Sequence, residues 1–419
     1  MNIIDDLQWR GAINQQTDAQ GLKKLLSHKK IGVYAGIDPT GDSMHVGHLI
    51  PFMILKRFQR AGFHPVILIG GMTGAIGDPS GKKSERKLQT KAQVVHNEKC
   101  LTAQAKKLFD KDGGVTIVNN YDWLSKFHLE DFLRDFGKLF NMNDMLGKEI
   151  IKSRLKAGIS YTEFTYQILQ SIDFLHLYKK YGVQLEVGGS DQWGNITDGI
   201  DLIHKIAGPK ARAYGLTIPL MLKSDGTKFG KTAGGAVWLD PKKTTPYEFY
   251  QFWFNTADAD VIKYLKYFTF LSHAEITKLA QATKQEPAKR LAQRKLAEEV
   301  TRFVHGEKGL KQAQNITHAF FGGSIKDLTV AEAKQAFHGM PSVEISGKPA
   351  RIVPFLVDET KIEPSRRQAR QDVKNGAVRI NGDKVTDTNT TVDPNSAFAG
   401  QFVVVRKGKK HYYLAQVKR

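Results

Sequence analysis

Residues 65–69, Pro-Val-Ile-Leu-Ile, carry no polar side chain. Side chains on a strand alternate between two faces, so a run that is apolar on both must be covered on both, as strands inside a parallel sheet are. The sequence before it agrees: residues 31–37 read as another strand, and residues 46–60 as a helix with one apolar face. Together they predict a strand–helix–strand unit with parallel strands. Residues 115–118 predict a further short strand and residues 162–180 a long helix. Residues 183–187 predict another strand, which breaks at Gly188-Gly189 before a second helix. This alternation places one α/β domain over residues 1–220.

The pattern changes after Pro241 and Pro246. Residues 247–325 show helical spacing, for example Val261, Tyr264, Leu265 and Phe268, with no strand signal. Residues 221–246 read as a loop and connection. Residues 326–350 hold a helix and then a Pro/Ser/Gly-containing stretch, and are expected to serve as a linker. Residues 351–419 form a separate basic module, with fourteen Lys and Arg against seven Asp and Glu. Ser365 can cap a helix bearing Arg366, Arg367, Arg370 and Lys374, and strands follow around the Asn381-Gly382 turn and the Lys407–Lys410 turn. The whole chain of 419 residues has a net charge of +20, which favours a polyanionic partner. We expect nucleic acid, bound chiefly through this module. The single cysteine, Cys100, excludes an intrachain disulfide, and the thirteen histidines are scattered, so no resident metal site is expected. No apolar stretch is long enough to span a membrane, and residues 1–10 lack the features of a signal peptide, so the cytoplasm is the expected location.

Chemistry-bearing residues gather where the predicted strands end. Tyr34, Gly36 and Asp38 alternate along and just past the first strand, followed by Thr40 and by His45-Val46-Gly47-His48 at the start of the helix. Two imidazoles at a helix N-terminus suit hydrogen bonding to a phosphate, and Gly47 would let a flat nucleotide approach the backbone. Zinc is the competing reading, but two histidines without a third ligand make a poor site. The glycine-rich loop 70–81 contains one carboxylate, Asp78, suited to an ammonium. Lys82, Lys83 and Arg86 follow as phosphate grips or as a solvated face. Tyr166, Gln170 and Asp173 share one face of the long helix, where polar groups turned toward a packed interior need partners. Asp191 and Gln192, in the run 188–195, suit a ribose and a carboxylate. Lys228-Phe229-Gly230-Lys231-Thr232 contains Gly-Lys-Thr but lacks the earlier glycine of a Walker A loop; two lysines there suit a leaving pyrophosphate instead.

These motifs resemble those of class I aminoacyl-tRNA synthetases. His45–His48 are similar to the HIGH motif and Lys228–Thr232 to the KMSKS motif. Tyr34, the Tyr166/Gln170/Asp173 trio and Gly-Gly-Ser-Asp-Gln-Trp-Gly-Asn from Gly188 resemble the bacterial tyrosyl branch of that family. The resemblance implies a Rossmann-like parallel-sheet catalytic domain over 1–220 with a dimerisation insertion, and a mobile KMSKS-type loop in 221–246. It further implies an α-helical anticodon-side domain over 247–325 and, after the 326–350 linker, a small S4-like α+β RNA-binding domain over 351–419. It implies ATP and Mg²⁺, L-tyrosine, tRNA(Tyr) and a second copy in a homodimer as partners, with neither DNA nor membrane. By the same resemblance, Tyr34 and Asp173 hold the substrate phenol, and Asp78, Tyr166 and Gln170 its ammonium. Gln192 lies near its carboxylate, and Asn120 and Trp123 border its pocket. Gly36, Asp38, Thr40, His45, His48, Gly189 and Asp191 hold ATP or the adenylate, and Lys82, Arg86, Lys228, Lys231 and Thr232 grip its outer phosphates. Glu186 departs from the family pattern, where glutamine is common. A tryptophanyl-type enzyme and a non-catalytic RNA-binding relative remain as alternatives.

Overall fold

The computed structural model describes residues 2–80, 88–110, 113–155, 158–232 except Lys228, 235–408 and 411–418. The chain divides into two compact units, Met1–Asp240 with Thr256–Glu299, and Pro241–Asn255 with Val300–Arg419. The helical stretch expected as one domain over 247–325 is thus shared between them. Its helices are amphipathic, and each packs where its own apolar face finds cover. Among the described residues no helix is long and apolar enough to cross a membrane.

The first unit is built on a sheet of β1 (Gln15–Gln16), β2 (Gly32–Ile37), β3 (His64–Ile69), β4 (Thr116–Asn119), β5 (Val183–Gly189) and β6 (Tyr214–Ile218). Their order is β1-β6-β5-β2-β3-β4, parallel except for the short β1. The apolar run that implied a doubly covered strand is β3, buried from Pro65 to Ile69. Helices α1 (Leu49–Arg60), α2 (Lys91–Phe109), α3 (Tyr161–Tyr181) and α4 (Trp193–Ala207) accompany the sheet. Ser160 caps α3 by accepting from the Glu163 amide, and Gly182, at φ 63°, ends it in a left-handed turn that a side chain would disfavour. Glu163 also forms a fully buried ion pair with Arg154 at 2.7 Å. The chain runs outward from β2 through β3 to β4 and returns to β5 on the other side of β2, so the order reverses between β2 and β5. A crevice opens at such a reversal, beyond the carboxyl ends of the strands.

In the first unit the short strands β7 (Lys231–Thr232) and β8 (Gly235–Ala236) pair antiparallel. The second unit carries β9 (Ser342–Ile345), β10 (Ala350–Arg351), β11 (Val378–Ile380), β12 (Asp383–Val385), β13 (Thr391–Val392), β14 (Phe402–Lys407) and β15 (His411–Val417). One sheet runs β12-β11-β14-β15-β9, with β9 parallel to β15 and the other neighbours antiparallel; β10 pairs with β13. The segment expected as a linker, 326–350, is therefore structural. It holds helix α5 (Val330–Ala336), fixed by a Thr329/Glu332 capping box, and the strand β9. Ala333, Ala336 and Phe337 share a core with Ile316, Phe402 and Leu414. Helix α6 (Arg366–Lys374) is capped by Ser365 as expected, buries Ala369 and Val373, and leaves Arg366, Arg367, Arg370 and Lys374 exposed.

Candidate active site

The crevice between β2 and β5 is a cavity of about 360 Å³. Of the residues singled out in the sequence, Tyr34, Gly36, Asp38, Thr40, His48, Asp78, Tyr166, Gln170, Asp173, Gly189, Asp191 and Gln192 line it. Tyr34, Gly36, Asp38 and Thr40 arrive from β2 and the turn after it, His48 from the turn that leads into α1, Asp78 from the loop after β3, the trio from α3, and Gly189, Asp191 and Gln192 from the end of β5 and the turn that follows. Lys82, Arg86, Lys228 and the side chains of Lys231 and Thr232 lie outside the described residues.

At the floor, both oxygens of Asp173 are held. Trp123 Nε1 donates to Oδ1 at 2.8 Å and Asn120 Nδ2 to Oδ2 at 2.9 Å. Asn120 and Trp123 thus stand behind the carboxylate instead of lining the cavity. Trp123 is itself stacked on His176, with ring centroids 4.2 Å apart. Burial raises the Asp173 carboxyl well above its ordinary range, opposed by these two donors. Nearer the mouth, Tyr166 donates its hydroxyl hydrogen to Asp38 Oδ2 at 3.0 Å, and Thr73 donates to Oδ1 at 2.9 Å. Gly70 makes this possible, since a Cβ there would stand 2.2 Å from Asp38 Oδ1 and 2.3 Å from Thr73 Oγ1. Gln192 donates to Asp78 at 2.9 Å, and Asn195 donates to Gln170 at 2.9 Å and to Gln192 at 3.3 Å.

The histidine turn has its own internal bonding. His48 Nδ1 accepts from the His45 amide at 3.0 Å, and His45 Nδ1 accepts from the Gly47 amide at 3.1 Å. A nitrogen that accepts from an amide carries no hydrogen, so each neutral ring has its hydrogen on Nε2. The rings lie 3.9 Å apart. His48 is half-buried and lines the cavity. Burial, reinforced by His45, pushes His48 down to about 3, so it is neutral at any ordinary pH. Gly47 has a reason the sequence did not reveal: a Cβ would lie 2.8 Å from Cε1 of the His45 ring.

The two separated motifs meet. His45 forms an antiparallel bridge with Trp238; the Val46 amide donates to the Val237 carbonyl at 2.9 Å and the Leu239 amide to the Met44 carbonyl at 2.8 Å. On the other side of the loop, Phe229 is buried against Phe268 and Tyr264, each with ring centroids 5.1 Å away. Phe229→Ala is expected to destabilise this unit by about 3 kcal/mol, the usual cost of deleting a buried aromatic ring. Urea unfolding followed by fluorescence would read this as a lowered midpoint; an unchanged midpoint would contradict the anchoring.

Residues 26–322 match the family described as tRNA synthetases class I (W and Y), and residues 332–415 match the tyrosine–tRNA ligase SYY-like C-terminal domain. The chain is 68% identical over 418 residues to the tyrosine–tRNA ligase of Limosilactobacillus reuteri and 66% identical over 418 residues to that of Lactiplantibacillus plantarum, covering all of each. The chain belongs to the tyrosyl class I tRNA synthetases. Among solved structures it is similar to a C-terminally truncated mitochondrial tyrosyl-tRNA synthetase of Aspergillus nidulans, at 33% identity and a TM-score of 0.69, covering 76% of this chain and 94% of that one. Thr73 and Asn195 are site residues that sequence reasoning did not single out. Both stood inside motifs noted for other residues, in the glycine-rich loop and at the end of the Gly188 run.

Proposed function

We propose that this chain is a tyrosine–tRNA ligase that activates L-tyrosine with ATP and transfers it to the 3′-terminal adenosine of tRNA(Tyr), in the cytoplasm and as a homodimer. The observation that carries the amino-acid assignment is the buried pair at the cavity floor, the Tyr34 hydroxyl and the doubly held Asp173 carboxylate. A phenyl ring would leave both groups unsatisfied, and an indole, which donates but does not accept, would leave the Tyr34 hydroxyl without an acceptor; a phenol gives the pair both a donor and an acceptor. Tyr34 and Asp173 take the phenol, with Asn120 and Trp123 fixing the carboxylate. Asp78, Tyr166 and Gln170 take the ammonium, the one cation that their acidic surroundings call for, and Gln192 lies toward the carboxylate. Gly36, Asp38, Thr40, Gly189 and Asp191 hold the nucleotide.

In the first step a carboxylate oxygen of tyrosine attacks the α-phosphorus of Mg-ATP, forming tyrosyl-adenylate and releasing pyrophosphate. The metal enters with the substrate. His45 and His48 donate from Nε2 to the phosphate as charge develops. Lys82, Arg86, Lys228, Lys231 and Thr232 neutralise the leaving group. In the second step a ribose hydroxyl of the tRNA attacks the activated carbonyl and AMP leaves. Both attacking groups come from substrates, so the protein works by positioning and charge stabilisation. The exposed Leu129, Leu133, Met142 and Tyr161 of residues 121–161 support that segment as the dimer contact.

Pyrophosphate exchange measured without tRNA, separately with tyrosine and with tryptophan, tests the assignment. Exchange with tyrosine alone is expected; exchange with tryptophan, or with neither, would overturn it. For RNA binding, Arg367→Glu combined with Arg370→Glu is expected to reduce tRNA charging at least tenfold and leave exchange unchanged, since these side chains are exposed and belong to the second unit, whereas the cavity belongs to the first. Substitution is a cleaner probe than truncation at residue 350, which would strip β9 of its partner β15.

A further inference from the structure

Two buried polar atoms in the cavity, the Tyr34 hydroxyl and Glu186 Oε2, make no well-formed hydrogen bond to any described residue, and they belong to facing side chains close enough for a loose one between them. Tyr34 on β2 and Glu186 on β5 are register partners in the parallel ladder, so their side chains rise from the same side of the sheet. Both line the cavity, exposed to 2% and 3%. The other Glu186 oxygen accepts from Gln170 Nε2 at 2.9 Å, which fixes the carboxyl in place and leaves Oε2 with the Tyr34 hydroxyl alone. A hydroxyl and a carboxyl oxygen that have only a loose contact with each other are costly inside a protein unless ligand binding completes the set.

We propose that Glu186 is a positioning residue for tyrosine recognition, the far end of a hydrogen-bond chain Asp173–substrate phenol–Tyr34–Glu186 that closes when tyrosine binds. The proposal rests on the reading above, which puts the phenol between Asp173 and Tyr34. The chain has four oxygens and three links, so it needs three hydrogens. The phenol and the Tyr34 hydroxyl supply two, and the third must come from a carboxyl. With that hydrogen on Glu186, every link points toward Asp173; with it on Asp173, every link points toward Glu186. With neither protonated, one link has no hydrogen and two oxygens face each other.

The surrounding groups decide where the proton rests. The titratable groups that line the cavity with Glu186 are Tyr34 on β2, Asp38 just beyond it, His48 before α1, Asp78 in the loop after β3, Tyr166 and Asp173 on α3, and Asp191 after β5; α4 contributes the neutral Asn195, which donates to Gln170. Asp173 already accepts two N–H groups, which favour its ionised form, whereas Glu186 accepts one. Burial raises both carboxyls, Asp173 well above its ordinary range and Glu186 to about 7, so the pair shares a proton near neutrality. The two N–H groups on Asp173 against one on Glu186 place that proton on Glu186. Burial, and then Glu186, hold the Tyr34 hydroxyl well above its ordinary value, so Tyr34 itself keeps its hydrogen. A group protonated in the bound state and lost as pH rises weakens binding on the alkaline side.

The test is pyrophosphate exchange by the full chain from about pH 6 to about pH 8.5, with KM for tyrosine and for ATP determined at each pH. For the unmodified chain KM for tyrosine is expected to be level on the acid side and to rise above neutrality, approaching about tenfold per pH unit, while KM for ATP stays level. In Glu186→Gln the amide supplies the missing hydrogen at every pH, so activity is retained and the rise disappears. Tyr34→Phe cuts the chain at its middle; its KM for tyrosine should be raised throughout and also lose the slope, which carries the test if the first variant folds poorly. A level profile in the unmodified chain, or an unaltered slope in Glu186→Gln, overturns the role of Glu186 while leaving tyrosine activation intact. Absence of tyrosine-dependent exchange in the unmodified chain overturns both.

Discussion

Replacing Asp173 by Ala is expected to lower kcat/KM for tyrosine in pyrophosphate exchange by about two to three orders of magnitude. The substitution takes the acceptor from the substrate phenol and also strands the Asn120 amide and the Trp123 indole N–H, which both end on this carboxylate. Breaking a buried, charged hydrogen-bonded set by removing one member costs about 3 to 5 kcal/mol, and each 1.4 kcal/mol is about tenfold. ATP meets the other end of the cavity, so its affinity, read by equilibrium binding of the nucleotide alone, should change little. Exchange at the unmodified rate would remove Asp173 from substrate recognition, and equal loss of nucleotide binding would point to collapse of the cavity instead. Asp173→Asn should lie between the two, because it keeps the shape but replaces one acceptor by a donor.

His45→Ala should lower kcat for exchange by about 10²- to 10³-fold, with little change in KM for tyrosine, as expected when a preorganised donor to the developing charge is lost. The same substitution removes the acceptor for the Gly47 amide, so part of the loss reflects a looser turn. The pH dependence distinguishes the state of the donors. Because burial holds His48 down to about 3, acidification from neutrality toward about pH 5 should leave kcat at saturating substrates without a step from His48. A step near pH 6.5 in kcat would mean that the charged ring is the working form.

The parts of this fold that were legible are those written in local pattern. The run 65–69 could only be a doubly covered strand and became β3, and Ser365 before three arginines could only cap a helix and became the start of α6. The Tyr34/Asp38, His45/His48 and Tyr166/Gln170/Asp173 sets were readable because each sits on one element at a spacing that fixes its face. Pairings made across distance were not readable. Ser342–Ile345 has an ordinary alternating pattern in a Pro/Ser/Gly-containing stretch, and nothing local says that it lies beside β15. Helix α2 was overlooked because lysines dilute its apolar stripe of Val94, Leu101 and Leu108, although the Thr90/Gln93 capping box marked its start.

The site shows the same division. That Asp173 faces the cavity followed from its helix, but that Asn120 and Trp123 stand behind it depends on where β4 ends relative to α3. Glu186 stood out as an unusual residue, yet its significance comes from the ladder register that sets it opposite Tyr34. The state of the two histidines depended on amide directions within a three-residue turn, which composition does not carry.

The bridge between His45 and Trp238 also sets a mechanical limit. The segment carrying Lys231 and Thr232 is moored at Phe229 in an aromatic cluster and at Val237 on the histidine turn. Seven residues, 230–236, lie between the moorings, a leash that reaches no more than about 25 Å. Lengthening that leash by inserting glycines would enlarge the volume the lysine explores and dilute its local concentration at the phosphates, slowing the first step without removing any contact.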